Sequence, residues 1–122
     1  MLLKDFYSVI QSNQAAGEFI TEIKINKNHR LYKGHFPGRP VTPGVILMQL
    51  FKEEVERQFN CSLQLQTATN IKFMAVVDPN QGENFTLHSN IEKENGFLKL
   101  KGIAKHNSCI ALKINSLYKI IS

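Results

Sequence analysis

Gly34-His35-Phe36-Pro37-Gly38-Arg39-Pro40-Val41-Thr42-Pro43-Gly44-Val45 is the stretch that decides how this chain is read. Its three prolines fix φ and push the residues before them toward extended geometry, and the interleaved glycines allow tight turns. Such a loop holds the imidazole of His35 in one place. It also runs into a helix start, because Thr42 suits an N-cap and Pro43 the first helical position.

Downstream, the helix is expected to run to about Phe59, and its two halves differ. Val45-Ile46-Leu47-Met48-Gln49-Leu50-Phe51 is apolar nearly all round, which predicts burial on every side. Lys52, Glu53, Glu54, Glu56 and Arg57 then predict a second half that emerges into solvent. Met48, Phe51, Val55 and Phe59 read as core. Upstream, Phe19, Thr21, Ile23 and Ile25 alternate with mostly polar neighbours, a strand over about Gly17 to Lys27. Met1 to Ile10 fits a short helix or a lead-in strand equally well.

After Asn60 the apolar period changes to two. A long strand runs from Leu63 to Val77, and Asp78-Pro79-Asn80-Gln81-Gly82 turns the chain. Phe85, Leu87, Ser89 and Ile91 mark the next strand. Asn95-Gly96 is a tight-hairpin signal, and Phe97 to Lys105 returns antiparallel. His106-Asn107-Ser108 is a second turn, before a last strand from Cys109 to Ile120. The sum is a helix followed by a four-strand antiparallel meander, with one or two strands ahead of it. The predicted class is α+β, an antiparallel sheet wrapped around a long central helix.

The 122 residues suffice for one hydrophobic core, so a single domain over 1–122 is expected. No apolar run reaches membrane-spanning length and the N-terminus lacks the build of a signal peptide, which together point to the cytoplasm. Cys61 and Cys109 lack metal-ligand spacing and read as reduced, mostly buried thiols; no metal is expected. The formal net charge of +5 favours acidic partners. Nucleic acid is disfavoured, since the basic residues are scattered and no zinc-finger, basic-helix or RNA-binding aromatic pattern occurs.

The loop and the order of elements resemble the hot-dog-fold 3-hydroxyacyl-[acyl-carrier-protein] dehydratases. The resemblance rests on Gly34 to Pro40, the Gly-His-Phe-Pro-Gly-x-Pro segment, and on Pro43-Gly44-Val45 opening the helix. It implies a homodimer with acyl tunnels at the interface, assembling further into hexamers in some members, and a substrate carried on the phosphopantetheine of acyl carrier protein with no other cofactor. It implies that His35 removes the C2 proton of the thioester. The backbone N–H of Gly44 or Val45 would polarise the thioester carbonyl. Phe36, Pro37 and Met48 are the candidates for lining the substrate.

These roles make chemical sense. A proton α to a thioester is weakly acidic, so its removal needs a positioned base and a donor for the charge on the carbonyl oxygen. A helix N-terminus offers free N–H groups and the positive end of the dipole. Departure of hydroxide needs a proton. Fourteen residues after His35, where the family carries an acid, this chain has Gln49. An amide hydrogen-bonds a hydroxyl or a water but delivers no proton. Glu53 shares a helix face with Gln49 by i,i+4 spacing and is the nearest substitute, although its place is expected in the solvated half. His29 reads as a surface residue, and His88 and His106 as structural or exposed.

Arg30, Lys33 and Arg39 bracket His35 and form a candidate basic rim for docking an acidic carrier protein. The leading function is dehydration of a carrier-bound 3-hydroxyacyl thioester in fatty acid or related polyene lipid synthesis. Two alternatives stay open: a catalytically weak acyl-carrier-binding or heterodimer partner subunit, and a hot-dog thioesterase.

Overall fold

The structure is a computed structural model that describes residues 5–15, 17–29, 42, 44–74, 77–78, 82 and 84–122. Six strands, β1 (Tyr7–Ala15), β2 (Glu18–Ile25), β3 (Leu63–Phe73), β4 (Asn84–Glu94), β5 (Phe97–His106) and β6 (Cys109–Ile120), form one antiparallel sheet, and α1 (Gly44–Phe59) packs on one face. This is the α+β, hot-dog arrangement expected from the sequence. Of the segment up to Ile10, Tyr7 to Ile10 is strand, and β1 runs on through Gln11 to Ala15.

Strand order corrects one expectation. The sheet runs β1-β2-β4-β5-β6-β3, so β3 does not begin a chain-order meander but closes the far edge beside β6. The connection from 74 to 83 is long enough for that crossing, where a tight turn would have forced β3 against β4. The ladder continues past the strand end, with Met74 N–H donating to Ala111 O at 2.8 Å. Asn70, at φ 52, sits where the β3–β6 register slips between Thr69 and Lys72, so the left-handed residue marks a bulge that bends the edge. Both tight hairpins form, the first as read and the second one residue shorter: Asn95 and Gly96 have φ 50 and 82, and Asn107 and Ser108 have φ 51 and 65. Positive φ at both central residues matches the right-handed twist of the flanking strands.

Helix α1 ends cleanly. Asn60 takes φ 50, and Cys61 N–H reaches back to Glu56 O at 3.2 Å, a Schellman closure. The Glu56 carboxylate accepts from Leu63 N–H at 2.9 Å, tying the helix end to the start of β3. Leu47, Leu50, Phe51, Glu54 and Val55 form the buried stripe, spaced i, i+3, i+4, i+7 and i+8. They pack on Ile23, Phe85, Leu87, Leu98, Leu100, Leu112, Ile114 and Tyr118. Phe51 has no exposed surface, and burying such a ring contributes about 1.5–3 kcal/mol.

The expected division of α1 into a buried and a solvated half does not hold, because one stripe is buried along its length. Its first half is not enclosed, since Val45 is 67% exposed. In the second half Glu53 and Glu54 are 3% and 2% exposed. Position explains it: Glu54 lies one heptad beyond Leu47, on the stripe that faces the sheet. It is compensated there by the Tyr7 hydroxyl, which donates to Oε2 at 2.8 Å, and by Arg57, whose Nη2 and Nε reach Oε1 at 2.8 and 3.0 Å. Burial, then the charge of Glu54, pushes the Tyr7 phenol well above its ordinary value. The thiols also differ from expectation: both are free, but Cys109 is exposed and Cys61 half-buried. Cys109 belongs to the outward set at the start of β6, and burial pushes the Cys61 thiol up.

The opposite face of the sheet is sorted by charge. Lys99, Lys101 and Lys105 on β5 and Lys113 and Lys119 on β6 alternate with the inward residues, Lys72 lies on the exposed end of β3, and these three adjacent strands contain no carboxylate. Lys72 and Lys113 are direct cross-strand partners. Glu18, Glu22, Glu92 and Glu94 lie on β2 and β4, with Lys24 and Lys93 among them, so these two strands are net acidic.

Candidate functional site

His35, Phe36 and Pro37, with Arg30, Lys33 and Arg39, lie outside the described residues, as does Pro43. The described part of the site is the start of α1 and what it faces. Thr42 is buried, and its N–H donates to Val77 O at 2.8 Å, which anchors the chain just before the helix. Gly44 begins the helix beneath Phe73. A Cβ there would stand 2.2 Å from Cε1 of that ring, so a side chain-free residue is what lets the helix start approach β3.

One turn on, Val45, Met48, Gln49 and Lys52 form one wall of a cavity of about 220 Å³, and Leu65 of β3 with Ser116 and Tyr118 of β6 form the other. The structure therefore brings together Val45, Met48 and Gln49 of the expected site residues. A larger groove of about 600 Å³ lies on the other face of the sheet, among Thr67, Thr69, Lys99, Lys101 and Asn115. None of its lining residues belongs to α1, so we assign the site to the smaller, mainly apolar cavity that α1 does line.

Gln49 is held by a neighbour on its own helix. Its Nε2 donates to Glu53 Oε2 at 3.0 Å, the i,i+4 contact that the spacing predicts, but with a carboxylate that is buried and not solvated. Across the cavity Ser116 is 6% exposed. Its Oγ meets hydrogen-bond geometry with no other group, although it lies near enough to the Tyr118 phenol to oppose the rise that burial causes there. Sequence reasoning missed Ser116. The available signal was a small hydroxyl residue on the inward register of β6, between Ile114 and Tyr118.

The remaining histidines have structural surroundings. His106 is buried, stacks on Phe85 at 4.6 Å and 8°, and donates from Nε2 to Gly82 O at 2.6 Å. It closes β5 and does not form part of the turn, which falls on Asn107 and Ser108. His88 lies 3.9 Å from Glu18, and His29 meets Phe6 edge-on at 5.4 Å. Among the described residues no helix is long and apolar enough to cross a membrane.

Comparison with known proteins agrees with this arrangement. Residues 11–113 match the family model described as ApeI-like, the ApeI dehydratase. The 3-hydroxyacyl-[acyl-carrier-protein] dehydratase FabZ of Rickettsia typhi is 32% identical over 84 residues, 62% of this chain and 57% of the relative. That of Wolbachia pipientis wMel is 33% identical over 87 residues, with the same shares of 62% and 57%. The chain thus spans little more than half the length of these curated relatives. Among solved structures, the dehydratase heterocomplex ApeI:P from Xenorhabdus doucetiae superposes with a TM-score of 0.69 at 18% identity, covering 94% of this chain and 97% of that one. A hypothetical thioesterase with coenzyme A from Streptococcus pneumoniae gives 0.63 at 10% identity, covering 95% and 89%. At such identities these two speak for the fold alone. The family match covers most of the chain, and the protein belongs to the ApeI-like dehydratase family.

Proposed function

We propose that this protein removes water from a 3-hydroxyacyl thioester carried on acyl carrier protein, giving the 2-enoyl thioester, in fatty acid or related polyene lipid synthesis. One observation carries the reading: the Gly34–Pro40 loop with His35 leads into α1, and fourteen residues after His35 that helix places Gln49 on a cavity.

In this reading His35 takes the C2 proton, the C2–C3 double bond forms and the C3–O bond breaks. The first N–H groups of α1, at Gly44 and Val45, meet the negative charge that gathers on the thioester oxygen. Gln49 orients the hydroxyl. The imidazolium of His35 returns its proton to the departing oxygen, so the base is restored and water leaves. Phe36, Pro37 and Met48 line the acyl chain. The substrate brings its own phosphopantetheine and no further cofactor takes part. Arg30, Lys33 and Arg39 receive the acidic carrier, and the setting is the cytoplasm.

A second copy completes the site along β3. That strand is an edge, and Val45, Phe73 and Met74 beside it are 67%, 56% and 55% exposed. Pairing two β3 edges would cover this apolar strip and continue the sheet. A homologous subunit in place of the second copy is the alternative. It draws on the likeness to a heterocomplex and on Gln49 standing where the family has an acid.

The test is mass-spectrometric turnover of a 3-hydroxyacyl carrier-protein thioester by wild type, His35→Ala and Gln49→Glu, following loss of water from the acyl chain. Dehydration by wild type and none by His35→Ala is the expected result. Activity gained only in Gln49→Glu would turn the reading to a binding or partner subunit. Inertness of all three would overturn it.

A further inference from the structure

The face of the sheet turned away from α1 carries a feature that the dehydration leaves unused. Lys99, Lys101 and Lys105 of β5 and Lys113 and Lys119 of β6 stand on it, and β3, β5 and β6 hold neither a carboxylate nor an arginine. Register sets their spacing. Lys101 faces Asn115 and Lys99 faces Leu117, so Lys113 and Lys119 are their diagonal neighbours on β6, about 7–8 Å away. Lys72 stands directly opposite Lys113, and like charges in that relation destabilise a sheet. No acidic side chain within these strands relieves the repulsion. Glu92 on β4, opposite Lys99, marks the boundary.

Half-buried apolar side chains, Phe97 and Ile103 on β5 and Leu117 on β6, alternate with the lysines. The groove of about 600 Å³ lies in the same face, where Lys99, Lys101, Thr67, Thr69 and Asn115 offer two ammonium groups, two hydroxyls and an amide. All five donate to phosphate oxygens. The complement to this face is broad and anionic, with an apolar layer close behind its charges. Nucleic acid has no such layer, and the strands lack the arginine that reads its bases. An acyl carrier protein seated here would have the sheet between its arm and the cavity of α1, so the face does not serve substrate delivery.

We propose that this face docks peripherally on a lipid bilayer that carries anionic phospholipid head groups. The lysines meet the phosphates, and Phe97, Ile103 and Leu117 reach head-group level. The cavity of α1, on the other side of the sheet, stays open to a soluble carrier. Two copies joined along β3 would set their lysine strands side by side and double the charged area. That doubling rests on the proposed pairing; the face of a single copy does not.

The test is co-sedimentation of the full chain with vesicles of phosphatidylcholine alone and of phosphatidylcholine mixed with phosphatidylglycerol. Binding is expected to the mixed vesicles and not to the neutral ones. Lys101→Gln with Lys113→Gln should weaken it about thirtyfold, at about fivefold for each lysine near an anionic surface. The charge-matched pair Lys24→Gln with Lys93→Gln, on β2 and β4, should weaken it by less than about threefold. Equal losses in the two pairs overturn the proposal, as does no binding to the mixed vesicles. So does capture of acyl carrier protein stripped of its phosphopantetheine, lost in Lys101→Gln with Lys113→Gln, while the vesicles go unbound; the face would then belong to an acidic protein. Turnover of a soluble carrier-bound substrate is expected to be equal in wild type and in that variant. Failure of the face and failure of the dehydration are thus read separately, and vesicle binding by a wild type that does not dehydrate supports the face and removes the reaction.

Discussion

Gly102 on β5 lies directly under the ring of Phe51, so that a Cβ built on it would stand 2.9 Å from Cε1 and 3.1 Å from Cζ. Phe51 is fully buried and has nowhere to move. Gly102→Ala is expected to destabilise the fold by about 1–3 kcal/mol through overpacking. Adding Phe51→Leu should recover part of that loss, as urea denaturation of the single and double variants would show. Additive losses would mean that the contact is not the cause.

Gly44 makes a closer approach, to Phe73, with the opposite consequence for stability. The Phe73 ring is largely exposed and can swing aside. Gly44→Ala should therefore change stability by less than about 1 kcal/mol. Its effect should fall on turnover, because the displaced ring sits over the first N–H groups of α1. Turnover in the Gly44→Ala, Phe73→Ala double variant is expected to recover. Equal kcat/KM in wild type and Gly44→Ala would count against a role for this helix start.

The Tyr7 hydroxyl supports a carboxylate buried in the core. Tyr7→Phe should cost about 1.5–3 kcal/mol, the range for a hydrogen bond to a charged group. Burial and Glu54 raise the folded pKa of Tyr7 above its ordinary 10.0. The tyrosine's contribution is thus fully present below pH 10 and is lost as pH rises beyond it, where the unfolded chain ionises first. Denaturation midpoints above pH 10 should fall less steeply in Tyr7→Phe than in wild type. Parallel slopes would remove Tyr7 from the alkaline transition.

His106 is held by a carbonyl on one side and a phenyl ring on the other. His106→Ala should lower stability by about 1–3 kcal/mol while leaving kcat at a temperature where both proteins are folded. Loss of kcat with stability unchanged would place His106 in the site.

The β3 edge makes assembly testable. Sedimentation should show a dimer for wild type, and Phe73→Lys or Ile71→Lys should shift it toward monomer and abolish turnover together. Monomeric wild type with full activity would exclude a site shared across β3.

Much of the architecture was legible because it depends on local signals. Asn95-Gly96, the alternation along β4 to β6 and the change of apolar period at Asn60 each act over a few residues, and the strands form where they indicate. The position of β3 was not legible, since edge placement depends on which strand pairs with β6, a contact between residues far apart in sequence. Burial of Glu54 was legible from its spacing with Leu47, Leu50 and Phe51. Its charge argues for solvent, but in the fold Tyr7 and Arg57 offset that charge. The Gln49–Glu53 contact follows from i,i+4 spacing, whereas burial of Glu53 follows only once the sheet is known to cover that side. Ser116 could be seen as inward on β6, but its unmatched hydroxyl appears only when α1 and β6 are brought together.

The lysines of β3, β5 and β6 and the net acidic strands β2 and β4 lie at opposite sides of one sheet, so the sheet, among the described residues, carries a permanent electric dipole across it. In the field of an acidic body it experiences a torque as well as an attraction. It will turn its lysine side forward while still apart, over a range of about 8 Å at physiological ionic strength and about 30 Å in 0.01 M salt. Orientation then precedes contact, and the rate of encounter, more than the lifetime of what forms, is the quantity that added salt will diminish.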